Sequence, residues 1–191
     1  MNFKDNLNNP QDYSTSFLLP NKDTTEHTPS SLYSARILER LGVKPELETN
    51  IIKFADIVAD IESNKDTTAK NKRTSATGAF QYVKGSVLPA LNRMKRYGEL
   101  PDWASELREK YSKGVTKKKH QELISDLTYE QQRDMFLADI GEKTVVRRGY
   151  GDTLLKGIAL GNTEAIKELY YKGHHTDPDE RTIKRVNEFF D

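Results

Sequence analysis

Two groups of residues between positions 62 and 81 have side chains suited to chemistry. Glu62 and Ser63 are adjacent, and Ser75, Gly78 and Gln81 follow at intervals of three. A carboxyl group can both donate and accept a proton, as general acid–base catalysis requires. The Gln81 amide offers hydrogen-bond donors and an acceptor, and a glycine lets another molecule approach the backbone closely. The spacing predicts a catalytic carboxyl beside a turn that binds a polar ligand.

A helix must position Glu62. The partial negative charge at a helix C-terminus and a neighbouring apolar wall are both expected to raise the pKa of a carboxyl placed there. A carboxyl that keeps its proton near neutral pH can protonate the oxygen of a departing sugar. The apolar residues that predict such a helix, with Glu62 near its end, are Ile51, Ile52, Phe54, Ala55, Ile57, Val58 and Ile61.

A polar loop separates this helix from the turn. Residues 64–77 contain no apolar residue larger than alanine, so we expect them to run over the surface. Gly78 is expected to adopt a positive φ angle or to let a sugar reach the backbone. Phe80 and Tyr82 flank Gln81 and are predicted to offer ring faces to the ligand.

The pair Glu62-Ser63, followed by Ser75-x-x-Gly78-x-x-Gln81, resembles the lytic transglycosylase branch of the lysozyme-like superfamily. The motifs cover roughly residues 50 to 97. The resemblance implies Glu62 as the catalytic acid and base, Ser63 and Ser75 as polar support, and Gln81 as a substrate contact. It further implies a mainly α, lysozyme-like helical domain with a glycan-binding cleft, and cleavage of the MurNAc–GlcNAc β-1,4 bond of peptidoglycan with a 1,6-anhydro-MurNAc end. No cofactor is expected.

One element of that family has no clear counterpart. Its Ala-Tyr-Asn motif supplies a cleft tyrosine, for which Tyr129, Tyr150, Tyr170 and Tyr171 are the candidates.

Hydrolysis by a muramidase is the alternative reaction, and it requires a second carboxylate as base or nucleophile. Asp66 is the only local candidate, because Asp60 is too close in sequence to face Glu62 across a cleft and Asp56 lies on the polar side of the helix. An alternative of another class is a non-catalytic virion module that binds the wall or nucleic acid.

His174, His175 and Thr176 form a polar segment that is predicted to touch sugar at the edge of the cleft. A turn between helices and a metal site are the other interpretations. Adjacent histidines point in different directions and lack the spacing of a helical ligand pair, so no metal is predicted.

The chain of 191 residues is divided by composition into a polar N-terminal arm with a short helix, residues 1–45, and a catalytic domain, residues 46–191. Thr128-x-x-Gln131 is a capping box that opens a later helix. Pro89 is expected in the first turn of another helix, where proline is tolerated.

Charge is uneven along the chain. Residues 84–119 contain ten basic and four acidic side chains, whereas the net charge of the whole chain is +1. A basic surface favours encounter with the anionic cell wall. Nucleic acid is the less favoured partner, although Tyr97, Trp103 and Tyr111 lie among these charges, since no recognition motif is present.

The sequence has no cysteine, no signal-peptide pattern and no segment of membrane-spanning length. These features favour a bacteriophage enzyme that is synthesised in the host cytoplasm and reaches the wall as a virion part or as an endolysin. The polar arm is the expected attachment to phage tail or virion proteins, and no membrane insertion is expected.

Overall fold

The computed structural model describes residues 31–147, 151–169, 180 and 183–184. Within these residues the chain is mainly helical and contains no β-strand, which confirms the mainly α class. None of the helices described is both long and apolar enough to cross a bilayer. The helices are α1 (Leu32–Leu41), α2 (Glu48–Ser63), α3 (Lys84–Met94), α4 (Asp102–Ser112), α5 (Lys117–Ser125), α6 (Tyr129–Arg147), α7 (Gly151–Ala159) and α8 (Thr163–Leu169), with 3-10 turns at Pro45–Leu47 and Lys95–Tyr97.

The apolar stripe of α2 is buried as its spacing predicts. The helix ends at Ser63, and Asn64 follows in the left-handed conformation, with φ 54° and its N–H bonded to the last-turn carbonyls. Glu62 therefore lies in the last turn of α2. All seven predicted positions are in the core: Ile51, Ile52, Phe54, Ala55, Ile57, Val58 and Ile61.

Helix α6 lies at the centre of the molecule and contacts α1, α2, α3 and α7. Its predicted capping box is confirmed: the Gln131 side chain accepts from the Thr128 N–H at 2.9 Å, and the Thr128 hydroxyl accepts from the Gln131 N–H at 3.2 Å. Every residue from Met135 to Gly141 is buried. The site loop described below is held partly from this helix.

Helix α1 belongs to the same core. Tyr33, Ile37 and Leu38 are buried among residues of α2 and α6. The short helix predicted within residues 1–45 thus packs against the helices of the predicted catalytic domain. The rest of the predicted arm, residues 1–30, lies outside the described residues.

Helix α3 begins earlier than its sequence suggested. Pro89 lies inside the helix instead of in its first turn. The start is set at Lys84, whose N–H donates to the Ser75 hydroxyl at 2.9 Å, and the helix then buries Val87 completely. Proline has no N–H to continue the helical bonding at its position, so this part of α3 depends on packing against α6.

Candidate functional site

The site loop, residues 64–83, is organised around Thr77. Thr77 is completely buried and is bridged antiparallel to Lys70 on one side and to Tyr82 on the other. Thr77 and Tyr82 exchange both backbone hydrogen bonds, at 3.1 and 2.9 Å, and the Gly78 N–H donates to the Ala69 carbonyl at 2.8 Å. A loop that looks irregular in sequence thus has defined backbone pairing.

The two predicted motifs meet at Ser63. Its hydroxyl lies 3.0 Å from the Ala79 carbonyl and 3.3 Å from the Ala59 carbonyl of its own helix. The last turn of α2 is therefore attached to the turn that contains Gly78 and Gln81. Glu62, the preceding residue, is half-buried at this junction.

Gly78 has φ +83°, which confirms the expected left-handed conformation. Side chains of α5 and α6, and not an open space for a sugar, lie next to Gly78. A Cβ at this position would lie 2.3 Å from Gln132 Oε1 and 2.8 Å from Ile124 Cγ2. Glycine is required here by close packing against α5 and α6, in addition to its backbone angle.

Gln132 holds the site loop from the first turn of α6. It is completely buried, and its Oε1 accepts from the Ala79 N–H at 2.8 Å. Its amide nitrogen lies 3.1 Å from the Thr67 carbonyl, 3.0 Å from that of Ile124 and 3.2 Å from that of Leu127. One side chain thus connects both ends of the loop with the junction of α5 and α6.

His120 holds the loop from α5. Its Nε2 lies 2.7 Å from the Ser75 carbonyl and 3.0 Å from the Tyr82 carbonyl. Carbonyl oxygens only accept, so Nε2 carries the hydrogen, and Nδ1 accepts from the Tyr111 hydroxyl at 2.5 Å. Burial lowers the pKa of His120, and the two carbonyl contacts oppose that effect.

Neither Gln132 nor His120, the two polar anchors of the site loop, was identified from the sequence. Their spacing from apolar residues could have indicated that both are buried. Gln132 precedes Met135 and Phe136 by three and four residues, and His120 precedes Leu123 and Ile124 by the same intervals. These intervals place both polar side chains on the buried face of an amphipathic helix. A polar residue on such a face needs a hydrogen-bond partner in the core.

Phe80 and Tyr82 differ from their predicted role, because both rings are buried. Phe80 is 2% exposed and stacks on Phe136 and Tyr129, with ring centroids 4.6 and 6.0 Å apart. Tyr82 is 6% exposed, and burial raises the pKa of its hydroxyl. In this conformation they join the loop to the core and offer no open ring face to a sugar.

Gln81 is half-buried and has a positive φ of 48°. Its amide nitrogen donates to the Gly78 carbonyl at 2.9 Å, which closes the turn. Within the described part of the chain, Gln81 Oε1 has no hydrogen-bond partner. The bond from the amide nitrogen thus orients the Gln81 side chain, and Oε1 remains able to accept a hydrogen bond.

Tyr129 lies beside α2, and its hydroxyl donates to Asp56 Oδ1 at 2.6 Å. Burial, followed by the Asp56 charge, raises the pKa of this hydroxyl. The other tyrosine candidates for the cleft, Tyr150, Tyr170 and Tyr171, lie outside the described residues, as do His174, His175 and Thr176.

The remaining acids near the end of α2 have partners. Asp66 Oδ1 accepts from the Thr68 N–H and hydroxyl, both at 2.8 Å, and these hydrogen bonds lower the pKa of Asp66. Asp60 pairs with Lys65 at 3.5 Å. Among the described residues, no group of three or more His, Cys, Asp or Glu side chains is arranged to hold a metal ion.

Comparisons with family models, with curated proteins and with solved structures gave no match to this chain.

Proposed function

We propose that this protein is a lytic transglycosylase that cleaves the MurNAc–GlcNAc β-1,4 bond of peptidoglycan with Glu62 as its single catalytic carboxyl. The observation that carries the proposal is the hydrogen bond between the Ser63 hydroxyl and the Ala79 carbonyl. It attaches the turn containing Gly78 and Gln81 to the helix end that bears Glu62. A catalytic acid and a substrate-binding turn act together only when they are held side by side.

In the proposed mechanism, Glu62 first protonates the glycosidic oxygen, so that the bond to the anomeric carbon breaks. The C6 hydroxyl of the same muramic acid then closes on that carbon, and Glu62 accepts the hydroxyl proton. The Oε1 atom of Gln81 is the proposed acceptor for a sugar hydroxyl or an N-acetyl N–H. The glycan-binding cleft of a lysozyme-like domain would then lie along the end of α2 and the site loop.

The carboxylates near Glu62 are already hydrogen-bonded or ion-paired within the protein, which favours this reaction over hydrolysis. Asp56 accepts from Tyr129, Asp60 pairs with Lys65, and Asp66 accepts two bonds from Thr68. A hydrolase needs a second carboxylate that can activate water or attack the sugar. The transglycosylase reaction needs no second carboxylate.

Product analysis tests the proposal. Purified peptidoglycan is digested with the full chain, and the masses of the released fragments are measured. A 1,6-anhydro end is expected. A free reducing end would show a muramidase instead, and the absence of any soluble fragment would contradict both enzymatic assignments.

Glu62→Gln is expected to reduce wall lysis by about a hundredfold or more, because the amide has no proton of suitable acidity. Turbidity clearing of wall preparations measures the activity, and thermal melting checks the fold. Asp66→Asn is the matched variant, and it should retain activity. Lysis that persists in Glu62→Gln would contradict the role of Glu62, and loss in Asp66→Asn alone would favour a hydrolase.

A further inference from the structure

Five exposed cations lie on the site loop or at the start of the two helices that bond to it. We call them the basic rim: Lys70, Lys72 and Arg73 on the loop itself, Lys84 at the first position of α3, and Lys117 at the first position of α5.

The fold brings these three segments together at Ser75. The Ser75 hydroxyl accepts from the Lys84 N–H at 2.9 Å, and the Ser75 carbonyl accepts from His120 Nε2 at 2.7 Å. Lys117 precedes His120 by three residues, so both lie on the same side of α5. Three segments that are far apart in sequence, each with cations of the rim, are thus bonded together at Ser75.

The charges of the rim are not neutralised locally. In the described part of the chain, none of the five takes part in an ion pair. Helix α4 differs, because Lys113 pairs with Glu109 at 2.6 Å and Lys110 approaches Glu106 at 4.0 Å. The only acid in the site loop is Asp66, which accepts from Thr68.

Two of these cations are placed where the helix itself disfavours them. The N-terminal ends of helices carry partial positive charge and favour acidic residues. Lys84 and Lys117 begin α3 and α5, and neither helix has an acid in its first turn. Neutralising these two lysines should therefore not lower the free energy of unfolding. A loss of binding in such a variant can then be assigned to the charges and not to a damaged fold.

The surroundings of the rim indicate the kind of partner. Single-stranded nucleic acid is bound by cations together with exposed aromatic rings on which bases stack. Of the aromatic residues among the basic residues of this region, Tyr97 and Tyr111 are buried, at 8% and 7% exposed, and the half-buried Trp103 packs against the core. The region therefore lacks a row of exposed rings on which successive bases could stack. A polymer that carries charge without bases fits this surface better.

We propose that the basic rim binds the carboxylates of the stem peptides carried by peptidoglycan strands. This inference rests on the proposed function, since it places a charged strand next to the bond that is cut. Several exposed cations at one surface attract such a polymer over about a Debye length, which is roughly 8 Å at physiological salt.

The test compares two full-length variants, each with four lysines neutralised and each carrying Glu62→Gln so that the wall is not digested. The rim variant contains Lys70→Gln, Lys72→Gln, Lys84→Gln and Lys117→Gln. The matched control contains Lys44→Gln, Lys53→Gln, Lys110→Gln and Lys113→Gln, all at exposed positions outside the rim. Co-sedimentation with purified walls measures binding, and thermal melting checks folding.

At about 0.05 M salt we expect the rim variant to bind walls about tenfold more weakly than Glu62→Gln alone, with the control unchanged. Its melting temperature should be equal to or higher than that of the parent. Walls stripped of stem peptides should bind the parent only as strongly as intact walls bind the rim variant, whereas walls stripped of attached polymers should bind the parent as intact walls do. Unchanged binding of the parent to walls without stem peptides would overturn the inference.

Equal wall binding by the rim variant and its parent would overturn the inference. So would loss of duplex or single-stranded DNA binding in the rim variant with wall binding intact, which would assign the surface to nucleic acid. The digestion products of the wild-type chain are measured separately. Wall binding that depends on the rim without a 1,6-anhydro product would contradict the proposed reaction and leave the binding surface standing.

Discussion

The site loop depends more on polar side-chain contacts than the bundle of α1, α2 and α6 does. In the bundle, side chains such as Ile37, Phe54 and Leu137 are completely buried and make apolar contacts with many neighbours. The loop is mostly exposed up to residue 75, and hydrogen bonds from Ser63, His120 and Gln132 hold it in addition to the apolar contacts at its C-terminal end. Apolar contacts are non-directional, whereas hydrogen bonds require specific geometry.

This difference separates stability from the geometry of the site. Loss of one apolar contact in the bundle should lower the free energy of unfolding and leave the loop in place. Loss of one polar anchor should displace the loop that carries Gly78 and Gln81 even where the bundle remains folded. The predictions below test that separation, from the largest expected effect to the smallest.

Leu38→Ala should lower the free energy of unfolding by about 2–5 kcal/mol, because Leu38 is 2% exposed and a cavity would remain in the bundle. Denaturant unfolding measures the change. Leu32→Ala on the same helix, where the side chain is 53% exposed, is the control and should be nearly neutral. If Leu38→Ala abolished wall lysis well below its melting temperature, the bundle and the loop would not be separable.

Gly78→Ala should cost about 3 kcal/mol and displace the loop. The new Cβ would lie 2.3 Å from Gln132 Oε1, so the Gln132 hydrogen bonds must break, and the left-handed angle adds strain. Thermal melting and wall lysis are both measured. Gly85→Ala adds the same methyl group where nothing lies within 4 Å, and it should be harmless. Full activity in Gly78→Ala would show that the contact with Gln132 is unimportant.

Gln132→Leu should cost about 2 kcal/mol, because the Ala79 N–H loses its bond to Oε1 and the carbonyls of Thr67, Ile124 and Leu127 lose their contacts with the amide nitrogen. Hydrogen exchange should show faster exchange at Ala79 than in the bundle. Gln131→Leu is the matched control, since it removes an exposed capping interaction only. Equal exchange at Ala79 in the two variants would contradict the anchoring role.

His120 should give the smallest effect, as a dependence of stability on pH. Its pKa is lowered in the folded state, so below its unfolded value of about 6.5 the unfolded chain binds a proton that the folded chain does not. The stability contributed by neutral His120 is complete above that pH and is lost as the pH falls through the folded pKa. Burial raises the pKa of the neighbouring Tyr111 and Tyr82 hydroxyls, so both stay protonated over this range.

Comparison of the wild type with His120→Gln measures this contribution. The free energy of unfolding is determined at several pH values below about 6.5, and the variant should have the shallower slope. Equal slopes would show that His120 does not titrate with unfolding.

The sequence predicted the features that depend on near neighbours. The spacing from Ile51 to Ile61 identified the buried face of α2, and Glu62 lies in the last turn of that helix as expected. The positive φ of Gly78 and the Thr128–Gln131 capping box were also predicted correctly. These features follow from local backbone geometry, which a few consecutive residues determine.

Tertiary structure alone decided which side chains surround the site loop. Gln132 bonds to Ala79 across 53 residues of sequence, and His120 bonds to Ser75 across 45. Stacking on Phe136 removed Phe80 from the predicted ligand-binding surface. Helical spacing indicates that a side chain is buried, but its partners depend on how α5 and α6 pack against the loop, and no local pattern encodes that packing.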